Sequence, residues 1–523
     1  MRKGAGKRLI GALLACLLCA APLAACNGRN EGTADQSNFI PVTEGTVAIA
    51  PGASGTTEPT AQPLPVKEST QYNEYNISID VNPETRTVTG VQKVLYKNRT
   101  GMELEQLYFN LYLNAFRRTA SYKPYEESNE PFIFPSGKDY GYINITSVMI
   151  NNESAAFNVQ ETVLTIILPE KLPLEAELEI SLVFDAYVPL INHRTGANDK
   201  AMWLGNFLPV LALYDDNGWH REPYYAVGSP FYANIANYTV QVTTPAGYMV
   251  TGTGEEVSNE ANGVRTTKMT AKLARNFTFA VGRLYEVETQ KTESGVYVNF
   301  YYYSEAFDAG LVLDTAARAL EDCSARIGSY PYMTFDIVEV GMLRPQSGLS
   351  YAGVMFVDAT SALAVSILQT RVGQSVAQQW FCNIIGNNPI KEAWLGEGVA
   401  QYVRQGIFST SEEIMSHMER EYNSLQAALP AFENKSLLQD LSVYQTWHEY
   451  ESIQHTRAKL MMYALEKRFG PQLMNEFLRV YYTKYQFRLV DRKEFIATAE
   501  EVFGMELDAF FRTWMEDFTL PPL

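Results

Sequence analysis

The stretch that most constrains this chain is residues 371–402, RVGQSVAQQWFCNIIGNNPIKEAWLGEGVAQY. Gln374 and Gln378 stand four apart, so in a helix their side chains share one face. Glu397 follows Gln378 by nineteen positions, on a second helical segment. The layout is helix–turn–helix. Three polar side chains are set among the apolar Val372, Ala377, Trp380, Phe381, Trp394 and Leu395.

A chain of 523 residues, 46% of them hydrophobic, has enough apolar surface for two or three domains with their own cores. Its formal net charge is −17. Residues 1–25 carry four cations (Arg2, Lys3, Lys7, Arg8) and no acid, so their removal takes the balance to −21. Such a chain repels nucleic acid and anionic membrane surfaces, and no nucleic-acid partner is expected. The basic start precedes an apolar run, Leu9–Leu23, that is short for a transmembrane helix. It ends in Leu23-Ala24-Ala25-Cys26, which resembles a bacterial lipobox, so residues 1–25 read as a lipoprotein signal. Cleavage there implies a lipidated Cys26 and a protein anchored on the extracytoplasmic face of the cell membrane. Cys323 and Cys382 then remain, and their spacing suggests no disulfide framework.

Residues 26–69 are rich in Gly, Ser, Thr, Ala and Pro and read as a flexible linker. From Tyr72 the pattern becomes β. Tyr75, Ile77, Ile79 and Val81 alternate with polar residues, and further strands follow to Phe277–Val281, separated by turn signals. This predicts an antiparallel β-sandwich or saddle over 70–290. Beyond it Ala316, Ala319, Leu320, Cys323 and Ile327 recur at helical spacing, and a buried strand is predicted at Thr334–Val340. Helices are predicted at Glu412–Ala428, Ser452–Phe469, Pro471–Tyr485, Lys493–Phe503 and Leu507–Phe518. The whole reads as α+β, a β-domain followed by a mainly helical domain at 291–523.

The 371–402 hairpin resembles the active-site hairpin of the M1 family of gluzincin aminopeptidases. There the positions of Gln374 and Gln378 carry the histidines of H-E-x-x-H, and that of Glu397 the last zinc ligand. Val372, Ala377, Gln379-Trp380-Phe381, Asn383 and Trp394-Leu395 match the family context. Gly348-Leu349-Ser350-Tyr351 resembles its G-M-E-Y segment, a strand edge that holds peptide by backbone hydrogen bonds. The resemblance covers roughly residues 70–520 and implies a thermolysin-like peptidase domain over 291–523.

The same resemblance marks what is missing. The pentad is Gln374-Ser375-Val376-Ala377-Gln378. Neutral amides are weak zinc donors, and Ser375 has no basicity to replace the general-base glutamate. Ser350 stands where the family's glutamate binds the substrate ammonium. His455 stands where its tyrosine meets the oxyanion, with Tyr444, Tyr450 and Tyr463 close by in sequence. The resemblance thus implies no zinc cofactor and no hydrolysis. Glu397 is read either as a solvated helix glutamate or as a leftover ligand position bonded to the Gln374 and Gln378 amides. On the second reading the cleft is expected to be a polar, neutral-to-acidic pocket. Ser350, Tyr351, Gln374, Gln378 and Glu397 would line it for a peptide or protein ligand. Two alternatives stand beside this: an active zinc aminopeptidase with an atypical site, and a structural subunit of a membrane complex. The five histidines contain no H-x-x-x-H pair, and a Ser375 nucleophile would need His455 as its base.

Overall fold

Alternation of buried and exposed side chains builds the first half of the molecule. Strand Asn73–Asn82 buries Tyr75, Ile77, Ile79 and Val81 on one face, and Thr87–Lys97 repeats the pattern. One-sided burial at period two is what a sheet with one solvated face requires. In the computed structural model, which describes residues 72–342, 348–433 and 435–523, these strands enter an eight-stranded sheet. Smaller sheets of four, four and two strands complete the β region. The sheet is largely antiparallel, as expected. The exception is Asn73–Asn82, which pairs in parallel with Ala236–Pro245. Pairing there is non-local, so the intervening strands sit elsewhere in the sheets.

The described residues all lie in one unit, Val66–Leu523. The signal, Cys26 and linker expectations fall outside the described residues. Among those residues, no helix is long and apolar enough to cross a membrane.

A five-stranded sheet begins the second half, ordered Glu286–Lys291, Tyr297–Tyr302, Thr334–Glu339, Val354–Val357 and β1 (Leu349–Tyr351). Tyr297–Tyr302 and Thr334–Glu339 run parallel. Helix Ala309–Arg326 makes their crossover, burying Val312, Ala316, Ala319, Leu320 and Cys323. β1 pairs antiparallel with Val354–Val357, with Ser350 opposite Met355, and is the edge strand.

Helix α1 (Val365–Gln378) runs directly into a π-helical turn, Gln379–Ile384. After a loop, α2 (Ala393–Phe408) follows. A second π-helical turn, Glu451–Arg457, leads into α3 (Ala458–Phe469). The predicted single helix 452–469 is therefore two pieces. Single-turn π segments recur at functional sites because they re-aim the side chains around them. α2 crosses this second turn so closely that a Cβ on Gly398 would lie 2.2 Å from Ala458 Cβ and 2.9 Å from the Gln454 carbonyl. Trp380 and Trp394 are fully buried in the helical core.

Candidate functional site

The edge strand and α1 are tied together by one hydroxyl. Ser350 Oγ donates to the Ser375 carbonyl at 3.0 Å. It accepts from Gln379 Nε2 at 2.7 Å and from Asn383 Nδ2 at 3.2 Å. Gln379 also donates to the Tyr351 carbonyl and accepts from the Gly353 amide. Asn276 Nδ2 donates to Asn383 Oδ1, and Asn276 Oδ1 accepts from the Ala352 amide. The π-turn places Gln379 and Asn383 so that both reach the strand. Their amides hold β1 in register against the helix.

On the next face Gln378 Nε2 donates to Glu397 Oε2 at 2.6 Å. The sequence expects Gln374 to join them, and it does not. Gln374 lies one turn earlier, about 6 Å along the axis. Both its amide atoms are buried and find no hydrogen-bond partner among the described residues. Gln378 Oε1 and Ser375 Oγ are buried in the same condition.

His455, in the second π-turn, brings Nε2 to 4.0 Å from Glu397 Oε2. Burial pushes its imidazole down to about 3, so it is neutral near pH 7 and the contact is not an ion pair. The Tyr450 ring packs edge-on to His455 at 5.1 Å. Tyr450 is buried beside Glu397, and burial first, then that carboxylate, raises its hydroxyl well above the usual range. Tyr444 instead accepts from Gln454 Nε2. Glu397 is itself raised by burial, opposed by the Gln378 hydrogen bond and by Arg194. The Ser375 hydroxyl makes no hydrogen bond to His455, so that pair forms no nucleophile–base unit. His448 packs on Phe432 and does not share the surroundings of His455.

Part of this cluster opens on a cavity of about 110 Å³, whose lining does not include Gln374, Ser375 or His455. Ser350, Tyr351, Gln378 and Glu397 line it. Two arginines that sequence reading did not single out line it as well, Arg194 and Arg275. Both are buried. Arg275 gives its donors to the carbonyls of Ala233, Asn383, Ile384 and Arg488. Arg194 donates to the Gly228 carbonyl at 2.8 Å and lies over the Phe231 ring at 5.3 Å. Neither arginine sits in a motif. Nothing in the residues around Arg194 (INHRTGAND) or Arg275 (AKLARNFTF) marks either as a pocket residue. The expected neutral-to-acidic pocket thus holds two buried cations against one carboxyl.

Residues 326–514 match the model described as the Peptidase family M1 domain. Among curated proteins, human aminopeptidase O is 20% identical over 249 residues, which cover 40% of this chain and 30% of that one. Leucine aminopeptidase 2 of Vanderwaltozyma polyspora is 24% identical over 206 residues, 37% of this chain and 31% of that one. The matches span about a third of the length of those relatives. Among solved structures, the M1 zinc metallopeptidase from Deinococcus radiodurans superposes with a TM-score of 0.65 at 19% identity, covering 87% of this chain and 96% of that one. A mutant of that protein bound to a Tyr-Ser-Ala substrate gives a TM-score of 0.64 at 18% identity, covering 87% and 97%. The fold is that of the two-domain M1 metallopeptidases, a β-rich domain followed by a helical one.

Proposed function

We propose that this chain, whose residues 326–514 match the Peptidase family M1 domain and which has the fold of the M1 metallopeptidases, is an M1-derived pseudopeptidase. It is a lipid-anchored extracytoplasmic protein that binds a peptide or a protein partner in the former substrate cleft without cutting it. The observation that carries this reading is the contact between Gln378 and Glu397. A side-chain amide, donating at 2.6 Å, satisfies the carboxylate that a zinc ion would otherwise claim.

The donor set supports the reading further. Zinc takes imidazole, thiolate or carboxylate donors in a tetrahedral arrangement. The residues here are one carboxyl, two neutral amides and a neutral histidine that sits 4.0 Å from that carboxyl. They do not fit the ion. A water at this site would also lack a base, because Ser375 replaces the carboxylate that would accept its proton. What the cleft keeps is its strand edge. β1 is held against α1 by Ser350, Gln379 and Asn383, ready to pair with an extended chain.

The test combines metal analysis of the purified protein with assays on a panel of aminoacyl chromogenic substrates. The expected result is sub-stoichiometric zinc and no chelator-sensitive turnover. Stoichiometric zinc with chelator-sensitive hydrolysis sinks the proposal. The anchor rests on Leu23-Ala24-Ala25-Cys26 after the apolar run. Intact-mass analysis should show a diacylated Cys26 as the mature N-terminus, and Cys26→Ser should release the protein from the membrane fraction.

A further inference from the structure

The groups that would welcome an ammonium in this cavity are already partly committed. The Ser350 hydroxyl is engaged by Gln379, Asn383 and the Ser375 carbonyl. Glu397 is capped by Gln378. The cations stand differently. Arg275 commits four of its five N–H donors to backbone carbonyls, so its contribution to the cavity is mainly charge. Burial lowers it only to about 10, and it keeps that charge at neutral pH.

Arg194 is the unbalanced group. It is 6% exposed and lines the cavity. Its hydrogen bonds go to the Gly228 carbonyl at 2.8 Å and, at 3.5 Å, to the Tyr224 hydroxyl. Both acceptors are uncharged. Among the described residues it has no carboxylate within 4.0 Å, unlike Arg86, Arg326 and Arg371. Glu397 acts on it only through space across the cavity. A buried guanidinium without a contact ion pair bears a desolvation cost that a carboxylate relieves, and the planar fork suits a carboxylate in two-point contact. The cavity, about 110 Å³, has room for such a group with a short apolar stem, a single water's share of liquid volume being about 30 Å³. Phe231, Leu349 and Pro389 supply the apolar wall.

We propose that this cavity recognises a carboxylate, with Arg194 as the residue that binds it. The recognised end of a ligand is then a peptide C-terminus or an acidic side chain, not an amino terminus. This rests on the cleft reading above and specifies its ligand.

The test uses the full-length protein and calorimetric titration with four probes. These are Ala-Ala-Ala as the free acid, its C-terminal amide, its N-acetyl form, and N-acetyl-Ala-Glu-Ala-amide. The free acid should bind about tenfold or more tighter than the amide, and N-acetylation should change little. A terminal carboxylate is the source if only the free acids bind. A side-chain carboxylate is the source if the Glu-containing probe binds as well as they do. Arg194→Gln should erase the acid–amide difference and Arg194→Lys should restore part of it. The wild-type comparison stands even if a variant fails to fold. Equal binding of acid and amide, or a larger loss from N-acetylation than from amidation, overturns the carboxylate inference and leaves the cleft reading standing. No binding by any probe at millimolar concentration overturns both.

Discussion

Gln378 and Glu397, nineteen residues apart on successive helices, meet through a 2.6 Å hydrogen bond from amide to carboxylate. The contact satisfies one oxygen of a carboxyl group that is largely buried, with its side chain 17% exposed. Burial raises Glu397 above its ordinary value, and the amide and Arg194 oppose the shift without cancelling it. The unfolded chain ionises this group near 4.5, so its contribution to stability is complete below that pH and is lost as pH rises through the folded value. Glu397→Gln keeps an acceptor for Gln378 and removes the buried charge. It should raise the unfolding temperature near pH 8, with the difference vanishing near pH 4. Glu397→Ala should destabilise at both, by about 1–3 kcal/mol, because it strands the Gln378 amide. Thermal denaturation at the two pH values measures both variants.

Two substitutions should rebuild metal affinity. Gln374→His with Gln378→His places two imidazoles one turn apart on α1, with Glu397 opposite the second. That set supplies three donors of the kinds zinc prefers. The double variant should bind close to one zinc per chain by elemental analysis while the parent does not. It should remain without hydrolytic activity, because Ser375 still offers no base. Zinc binding by the parent equal to that of the variant would contradict the account of the pocket.

Glu451 titrates near neutrality in the folded protein. It is pushed up to about 7 by burial, then by Glu397 and Glu126. In the unfolded chain it ionises near 4.5, so between these values the unfolded state loses its proton first and stability falls as pH rises. Glu451→Gln should flatten that fall and gain about 1–3 kcal/mol at pH 8. Urea unfolding at a series of pH values gives the measurement.

Gly398 sits where α2 crosses the second π-turn. A methyl group there would overlap Ala458 Cβ at 2.2 Å and the Gln454 carbonyl at 2.9 Å. Gly398→Ala should destabilise by about 1–3 kcal/mol or more as the helices are forced apart. Ligand binding should weaken with it, since Glu397 is its neighbour in the chain. Equal denaturation midpoints for variant and parent would show that the contact can relax.

Much of this architecture was legible in local pattern. The alternation in 73–82 and 87–97 matches the buried faces found there, and helix Pro471–Tyr485 has the predicted bounds. These features arise from side-chain period, which a sequence displays directly. The two π-turns were not legible, and 452–469 read as one continuous helix. A π-turn adds one residue to a single turn, and over a segment as short as Glu451–Arg457 that shift of the apolar repeat carries no residue signal of its own. The parallel pairing of Asn73–Asn82 with Ala236–Pro245 was also beyond reach, since partners so far apart in sequence share no local signal.

The candidate site divides along the same line. The sequence by itself determined the spacing of Gln374, Gln378 and Glu397, the helical hairpin that carries them, and the replacement of basic and metal-binding side chains by amides and a serine. Only the tertiary structure decided that Gln378 and not Gln374 meets Glu397, and that Ser350 is consumed in tying β1 to α1. It also decided that Arg194 and Arg275, from the distant β region, turn a pocket expected to be neutral or acidic into one with two cations facing one carboxyl. Donor identity is written residue by residue. Charge balance in a cavity is a sum over groups brought together by folding, and in low dielectric that sum determines which ligand the cavity admits.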